Sequence, residues 1–339
     1  MTTSQCPPAS DTNATDTNAA TVGTAAATPA QRATGLAAAL GCGALVAVQS
    51  RVNGDLAARL HDGIAAAVIS FGIGLIVLAV AAAVLPSVRS GLASVRDAVS
   101  TGRLRWWHLL GGACGALLVL SQGVTVPVIG VAVFSVAIVA GQSVSSLAVD
   151  RLGIGPTGHH PLTPARVIGA VLTVGAVLVA VSNQVGRPGL LALAALPALA
   201  GIGTSWQQAV NGRVRQWAGS ALPATLVNFA AGMAALLITF SVDVAVRGWP
   251  TGALPHQPWL YVGGLIGVLF IAVSASVVRW TGVLLLGLAT IAGQLLMATL
   301  IDFLAPGSAG GPGANTLLGI ALTLVAVGIA ALPTRRRPS

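Results

Sequence analysis

The amino-acid sequence predicts an all-α, polytopic membrane protein, with ten transmembrane helices arranged as two inverted five-helix repeats. Three observations predict it. Only 7% of the 339 residues are charged and 55% are hydrophobic, whereas a soluble domain carries about 25% charged residues. Uncharged runs long enough to cross a bilayer, which takes about 20 residues, recur along the chain. A polar hexad is spelled twice after a long apolar run: Gln49-Ser50-Arg51-Val52-Asn53-Gly54, and 158 residues later Gln207-Gln208-Ala209-Val210-Asn211-Gly212.

Residues 1–34 are rich in Thr, Ala, Ser, Asn and Pro and read as a disordered cytoplasmic tail. They lack the apolar core of a signal peptide. Uncharged runs and Gly/Pro turns then give spans at 35–55, 63–85, 106–125, 127–149 and 166–184, forming a first repeat over 35–185. Leu109 to Val149 carries no charge over 41 residues, room for two crossings and a turn. Spans at 190–210, 221–246, 258–278, 281–304 and 315–333 form a second repeat over 186–333, and 334–339 is a basic tail. The longest connection, Pro86 to Arg105, is basic and reads as a loop. With this span count, 13 Arg fall on one side of the membrane and four (Arg51, Arg59, Arg187, Arg247) on the other. The positive-inside rule places the Arg-rich side, and with it both termini, in the cytoplasm.

The repeat extends well beyond the hexad. At the offset of 158, Gly43 matches Gly201, Phe71 matches Phe229 and Gly74 matches Gly232. After the longer loop of the first half the offset becomes 152: Trp107 matches Trp259, Gly111-Gly112 matches Gly263-Gly264, and Gly115 matches Gly267. Gly130 matches Gly282, Ala140-Gly141-Gln142 matches Ala292-Gly293-Gln294, and Asp150 matches Asp302. In the last span the offset is 150, with Gly169 against Gly319. Five spans per unit is an odd number, so the copies enter the bilayer from opposite faces. That is the inverted-repeat build of many secondary transporters.

Several functions are excluded. The net charge of +9 comes from Arg in short connections between apolar spans, not from one face of a soluble domain, so no nucleic-acid partner is expected. All 17 basic residues are Arg and all 8 acids are Asp, as a GC-rich bacterial coding sequence would give. Without Lys there is no phosphate-binding loop to drive transport with ATP. No zinc-protease helix or nucleophile elbow is present, and an enzyme is not expected. Cys6, Cys42 and Cys114 show no metal spacing, and His159-His160 has no third ligand, so neither metal nor cofactor is expected.

Gln49 and Asn53 share one helix face, as do Gln207 and Asn211. Amides within a bilayer are costly unless they face protein or water. They are therefore candidate substrate contacts in a central cavity; hydrogen bonding between helices is the bland alternative. Gln142 and Gln294, mid-span, join them, with Ser70 and Asn228 as weaker candidates. Phe71, Phe229 and Trp206 could form an apolar or cation-binding wall, or simply pack between helices. Asp150 and Asp302, at span ends, are candidates for proton coupling. Trp106, Trp107 and Trp259 read as interfacial anchors. The small-residue faces Gly111-Gly112-x-x-Gly115 and Gly263-Gly264-x-x-Gly267 are expected to pack tightly within each half.

Three motifs carry a family resemblance. They are Q-x-x-V-N-x-x-L (Gln49 to Leu56), S-F-x-x-G (Ser70-Phe71, Gly74), and A-G-Q followed by D-x-x-G (Ala140-Gly141-Gln142, Asp150, Gly153). Together they resemble the YdcZ-type family of the drug/metabolite transporter superfamily, here as a tandem fusion covering residues 35–333. The second copy departs from the pattern at Asn228, Val214 and Ala305, where the first has Ser70, Leu56 and Gly153. The resemblance implies an exporter in the bacterial cytoplasmic membrane. The expected function is thus a secondary, non-ATP transporter that moves a small organic solute by alternating access, as a monomer or homodimer in the lipid bilayer. A noncatalytic scaffold or channel-like facilitator is the alternative. The amide-like polarity favours neutral, zwitterionic or amphiphilic cargo, and the fifth span of each half is expected to be peripheral.

Overall fold

The apolar runs form helices because in lipid the backbone can satisfy its hydrogen bonds only internally. The protein, a computed structural model, is described for residues 28–155, 158–159, 162–180, 182, 188–250, 252–306 and 311–330. Residues 1–27, Arg187, His160 and the 334–339 tail lie outside the described residues. The elements are α1 (Pro29–Leu60), α2 (Gly63–Val84), α3 (Pro86–Ser100), α4 (Gly111–Leu152), α5 (Pro164–Ala180), α6 (Pro188–Ala218), α7 (Ala221–Arg247), α8 (Gly263–Leu304) and α9 (Ala314–Ala330). No strand occurs among the described residues, and the chain is an all-α polytopic membrane protein.

The first helix starts earlier than expected. Thr28 Oγ1 accepts from the Gln31 N–H at 3.2 Å, and Gln31 Oε1 accepts from the Thr28 N–H at 2.9 Å. This reciprocal cap, with Pro29 in the first turn, makes residues 29–34 part of α1 rather than of a disordered tail. At the α1–α2 corner, His61 takes the left-handed conformation at φ 53° and Asp62 Oδ1 caps the N–H groups of Ile64 and Ala65 at 2.8 and 2.9 Å. Ile76, Val80 and Val84 line an exposed face of α2, and Ile238, Val242 and Val246 do the same on α7. Their spacing of four puts each trio on one stripe, facing lipid.

The basic stretch after α2 is not a loop throughout. Val88, Gly91, Val95 and Ala98 are buried at helical spacing, and the Arg between them stay outside. The resulting helix α3 lies across the α6–α7 corner: a Cβ on Gly91 would stand 2.7 Å from the Ala218 carbonyl oxygen and 2.5 Å from the Pro223 ring.

Helix α4 comprises two limbs joined at Gly130, whose φ of 78° and ψ of 166° are non-helical. The limbs run antiparallel. Gly111, at the start, touches Asn211 near the end of α6. Arg213, two residues on, donates to the carbonyls of Gly153 and Ile154 at the far end of the second limb, at 3.1 and 3.2 Å. The apolar run is therefore folded into two limbs, and the turn falls at Gly130 instead of residue 126, because only glycine enters that φ freely. The reversal frees the N–H groups of Val131 and Ala132, and the buried Asp302 carboxylate accepts both, at 3.1 and 2.7 Å. Helix α8 reverses in the same way: Gly263 and Gly267 approach Asn53 and Gln49 on α1, and Gly293 returns to Leu40.

The two halves interdigitate: α1 packs along α8, α6 along α4, α2 against α7 and α5 against α9. Close contacts come in pairs with the halves exchanged. A Cβ on Gly112 would stand 1.9 Å from the Asn228 carbonyl oxygen, and on Gly264, 1.9 Å from that of Ser70. On Gly141 it would meet the Ala198 carbonyl at 2.0 Å, and on Gly293 that of Leu40 at 2.0 Å. Phe71 lies over Gly232, and Phe229 over Gly74. A two-fold relation generates such reciprocal contacts, since residue i meets j wherever j meets i. The small-residue faces therefore pack between halves, not within each half as expected, because glycine lets backbones of different halves approach within carbonyl contact.

Candidate functional site: an interior cavity beside one corner

A cavity of about 420 Å³ lies inside the bundle beside the α6–α7 corner. One wall is a stripe of α6: Thr204, Gln208, Asn211, Gly212 and Arg215. These positions recur every three or four residues, so they share one helix face. Much of the rest of the lining is apolar, with Leu118, Ile138, Phe270, Ile271, Leu286 and Ile291. Gln142, Thr225, Thr290 and Gln294 add polar groups. A second cavity of about 260 Å³ shares Gln142, Gln208, Gly287 and Ile291 with the first. It continues past Ser143, Ser146, Arg166 and Thr173 to Val327 on α9. Helices α5 and α9 are thus not merely peripheral.

Of the residues singled out from sequence, Gln142, Asn211 and Gln294 line the larger cavity. Gln207 and Asn228 stand behind Asn211: Gln207 Nε2 and Asn211 Nδ2 both donate to Asn228 Oδ1 at 2.9 Å. The amides of the first-half hexad are elsewhere. Asn53 is 1% exposed and donates from Nδ2 to Gln122 Oε1 at 2.7 Å. Gln122 Nε2 in turn donates to Ser50 Oγ at 3.0 Å. Asn53 Oδ1 and Ser70 Oγ are buried with no hydrogen-bond partner among the described residues. Gln49 points its Nε2 toward Gly267 on α8. Gln49, Asn53 and Ser70 therefore sit at a closed corner and not in the cavity, because Gln122 fills the space between them and α4.

The aromatic candidates pack. Phe71 and Phe229 meet at 4.9 Å between centroids where α2 crosses α7, and Trp206 stacks on Trp107 at 6.3 Å. Trp106 and Trp259 are exposed at helix starts. Neither acid lines either cavity. Asp150 pairs with Arg166, and Asp302 caps the second limb of α4 beside Gly130. Both carboxylates have structural partners, and neither faces the cavity as a proton relay would. Among the described residues no three His, Cys or Asp converge as metal ligands, and His159 Nδ1 lies 2.7 Å from the Arg151 carbonyl oxygen.

Sequence reasoning missed Gln208, Thr204, Arg215 and Gln122. The search favoured residues repeated between halves. Gln208 stands opposite Ser50, Arg215 opposite Ala57, Thr204 opposite Val46, and Gln122 opposite a serine at 274. The available signal was helical: Gln208 and Arg215 lie on the Asn211 face.

The fold and this cavity define a polytopic membrane protein with a partly polar cavity of about 420 Å³ among its helices. The chain belongs to the family described as "Putative inner membrane exporter, YdcZ", whose model matches residues 34–179 and 192–330. The two matched stretches are the two repeats. No curated protein matches the chain. The family makes this chain a membrane transporter, and its membership speaks for transport rather than catalysis.

Proposed function

We propose that the protein is a secondary transporter that exports a small organic solute across the cytoplasmic membrane by alternating access. Ten crossings in two inverted repeats would rock about the cavity, as in other transporters built this way. The observation that carries the reading is the unequal state of two related corners. At α6–α7, Asn211 and Gly212 are half-buried, Gln208 and Arg215 are exposed, and all four line a cavity. At α1–α2 their counterparts Asn53, Gly54, Ser50 and Ala57 are buried. A machine with a two-fold plan and one open corner has a mirror state in which the other corner opens.

The orientation follows from arginine. Helix α3, the end of the second limb of α4, and Arg213 and Arg215 gather at the open corner. Arg51, Arg59 and Arg247 lie toward the opposite end of the bundle. The positive-inside rule makes the open corner cytoplasmic, along with both termini. A cavity open to the cytoplasm is where an exporter loads.

The test is saturable flux from proteoliposomes by the purified chain. Asn211→Ala is expected to lower flux about tenfold with the fold intact, the value of one good hydrogen bond. Flux that stays proportional to solute concentration without saturating, or that ignores this substitution, would contradict the reading.

A further inference from the structure

The charge around the cavity narrows the cargo. Arg215 and Arg166 are the only charged residues lining the two adjoining cavities. Arg166 is committed to Asp150. Among the described residues no carboxylate pairs with Arg215, which stands exposed at the end of the α6 stripe. The stripe runs inward from this guanidinium through Asn211 and Gln208 to Thr204. Arg215, Asn211 and Gln208 can donate hydrogen bonds to a ligand, while the Thr204 hydroxyl donates to the Ala200 carbonyl at 2.8 Å. Much of the rest of the lining is aliphatic and aromatic, including Leu118, Phe270 and Ile291.

We propose that the cavity takes a small, water-soluble amphiphilic anion, an apolar body bearing one carboxylate-type group. This rests on the transport reading above and names its substrate class. The volume of about 420 Å³ falls within the range of roughly 300–1,000 Å³ that accepts small organic ligands. A cation entering here would shed water and find no acid to meet it, whereas a carboxylate finds a guanidinium and amide donors. The apolar body packs on the apolar part of the lining.

The same reasoning gives a direction. The counterparts of the α6 stripe on α1 are Val46, Ser50, Asn53, Gly54 and Ala57, with no charge among them. The cation is offered to cargo at the cytoplasmic corner and has no equivalent at the other. Affinity is therefore higher in the loading state and falls in the releasing state, because a ligand favours the state it binds better. An outward-moving monoanion is also driven by an inside-negative membrane potential. Export would then need no coupling acid in the cavity, and none lines it.

The test uses the full-length chain in detergent and in proteoliposomes, with three probes of one shape: 4-phenylbutyrate, 4-phenylbutanol and 4-phenylbutylamine. Binding is read by tryptophan fluorescence, and flux under an imposed potential. The carboxylate is expected to bind about tenfold more tightly than the alcohol or amine, as expected for one partly exposed ion pair. Arg215→Gln should abolish that preference with an unchanged thermal midpoint, and Arg215→Lys should retain most of it. An equal or tighter amine or alcohol, or a preference that survives Arg215→Gln, overturns the proposal; saturable flux of any probe in that case leaves the transport reading standing. If no probe binds or moves at millimolar concentration, the cavity assignment falls, and the proposal with it.

Discussion

At the α1–α2 corner, Asn53 is sealed against Gln122 and Ser50, and Leu56, Leu60, Ala66 and Leu260 form a dry cluster around it. At the α6–α7 corner, Asn211 occupies the corresponding position but lines a cavity. A matching cluster of Val214, Ala218 and Ala224 there packs against α3 instead. The backbones are built to one plan: a Cβ on Gly112 or on Gly264 would stand 1.9 Å from a carbonyl oxygen of the other half. The side chains at the corners are not. Ser50 with Gln122 in one half stands against Gln208 with Ser274 in the other, so the serine and glutamine exchange places. Shared helix contacts set the scaffold, and a few unshared polar residues decide which corner is shut.

Five substitutions, in three comparisons, test that division in order of expected effect. Gly112→Leu and Gly264→Leu place a side chain where a Cβ alone would meet a carbonyl at 1.9 Å. Each should cost about 3 kcal/mol and lower the unfolding midpoint by roughly 5–10 °C. The two should be alike, and thermal unfolding in detergent reads both; a harmless change in one half would break the two-fold plan. Asn53→Ala and Asn211→Ala should differ in kind. The first leaves Gln122 Oε1 buried without its donor and should cost about 1–2 kcal/mol of stability. The second should cost at most about 0.5 kcal/mol, because Asn228 keeps Gln207, and should act on flux instead. Equal destabilisation would erase the distinction between a sealed and an open corner. Asp302→Asn keeps one acceptor for the Val131 and Ala132 N–H groups and loses the other, a cost of about 1 kcal/mol. Flux at saturating solute should persist; abolished flux in a folded variant would restore Asp302 as a proton carrier.

Much of the scaffold was legible in the sequence. Uncharged runs gave the helices, and colinear Gln, Asn, Gly and Asp gave the duplication. The hairpin inside Gly111–Leu152 followed from an apolar run too long for one crossing, although its turn lies at Gly130. Helix α3 was lost because its Arg suggested a loop, while the burial spacing of Val88, Gly91, Val95 and Ala98 marked one face of a helix. The cavity was only partly legible. Repetition identifies residues that serve the common scaffold, and it found Asn53 and Ser70, which seal, together with Asn211, which lines. It is blind to Gln122, Gln208 and Arg215, which differ between halves. Which of two related corners is open is a property of the conformation, which residues repeated in both halves do not reveal.

The central claim is that the two corners open in alternation. Single cysteines at Ala57 and Arg215, related positions in a background without Cys6, Cys42 and Cys114, report on it directly through their labelling rates with a small soluble thiol reagent. The cysteine at Arg215, which is exposed and lines the cavity, should label readily, and that at Ala57, 4% exposed, should label slowly. Adding Gln122→Ala removes the bonds to Asn53 and Ser50 and should raise the rate at 57 and lower that at 215, each about tenfold for a shift of roughly 1.4 kcal/mol. Rates that rise together, or a rate at 215 that stays unchanged as 57 opens, would contradict alternation between the corners.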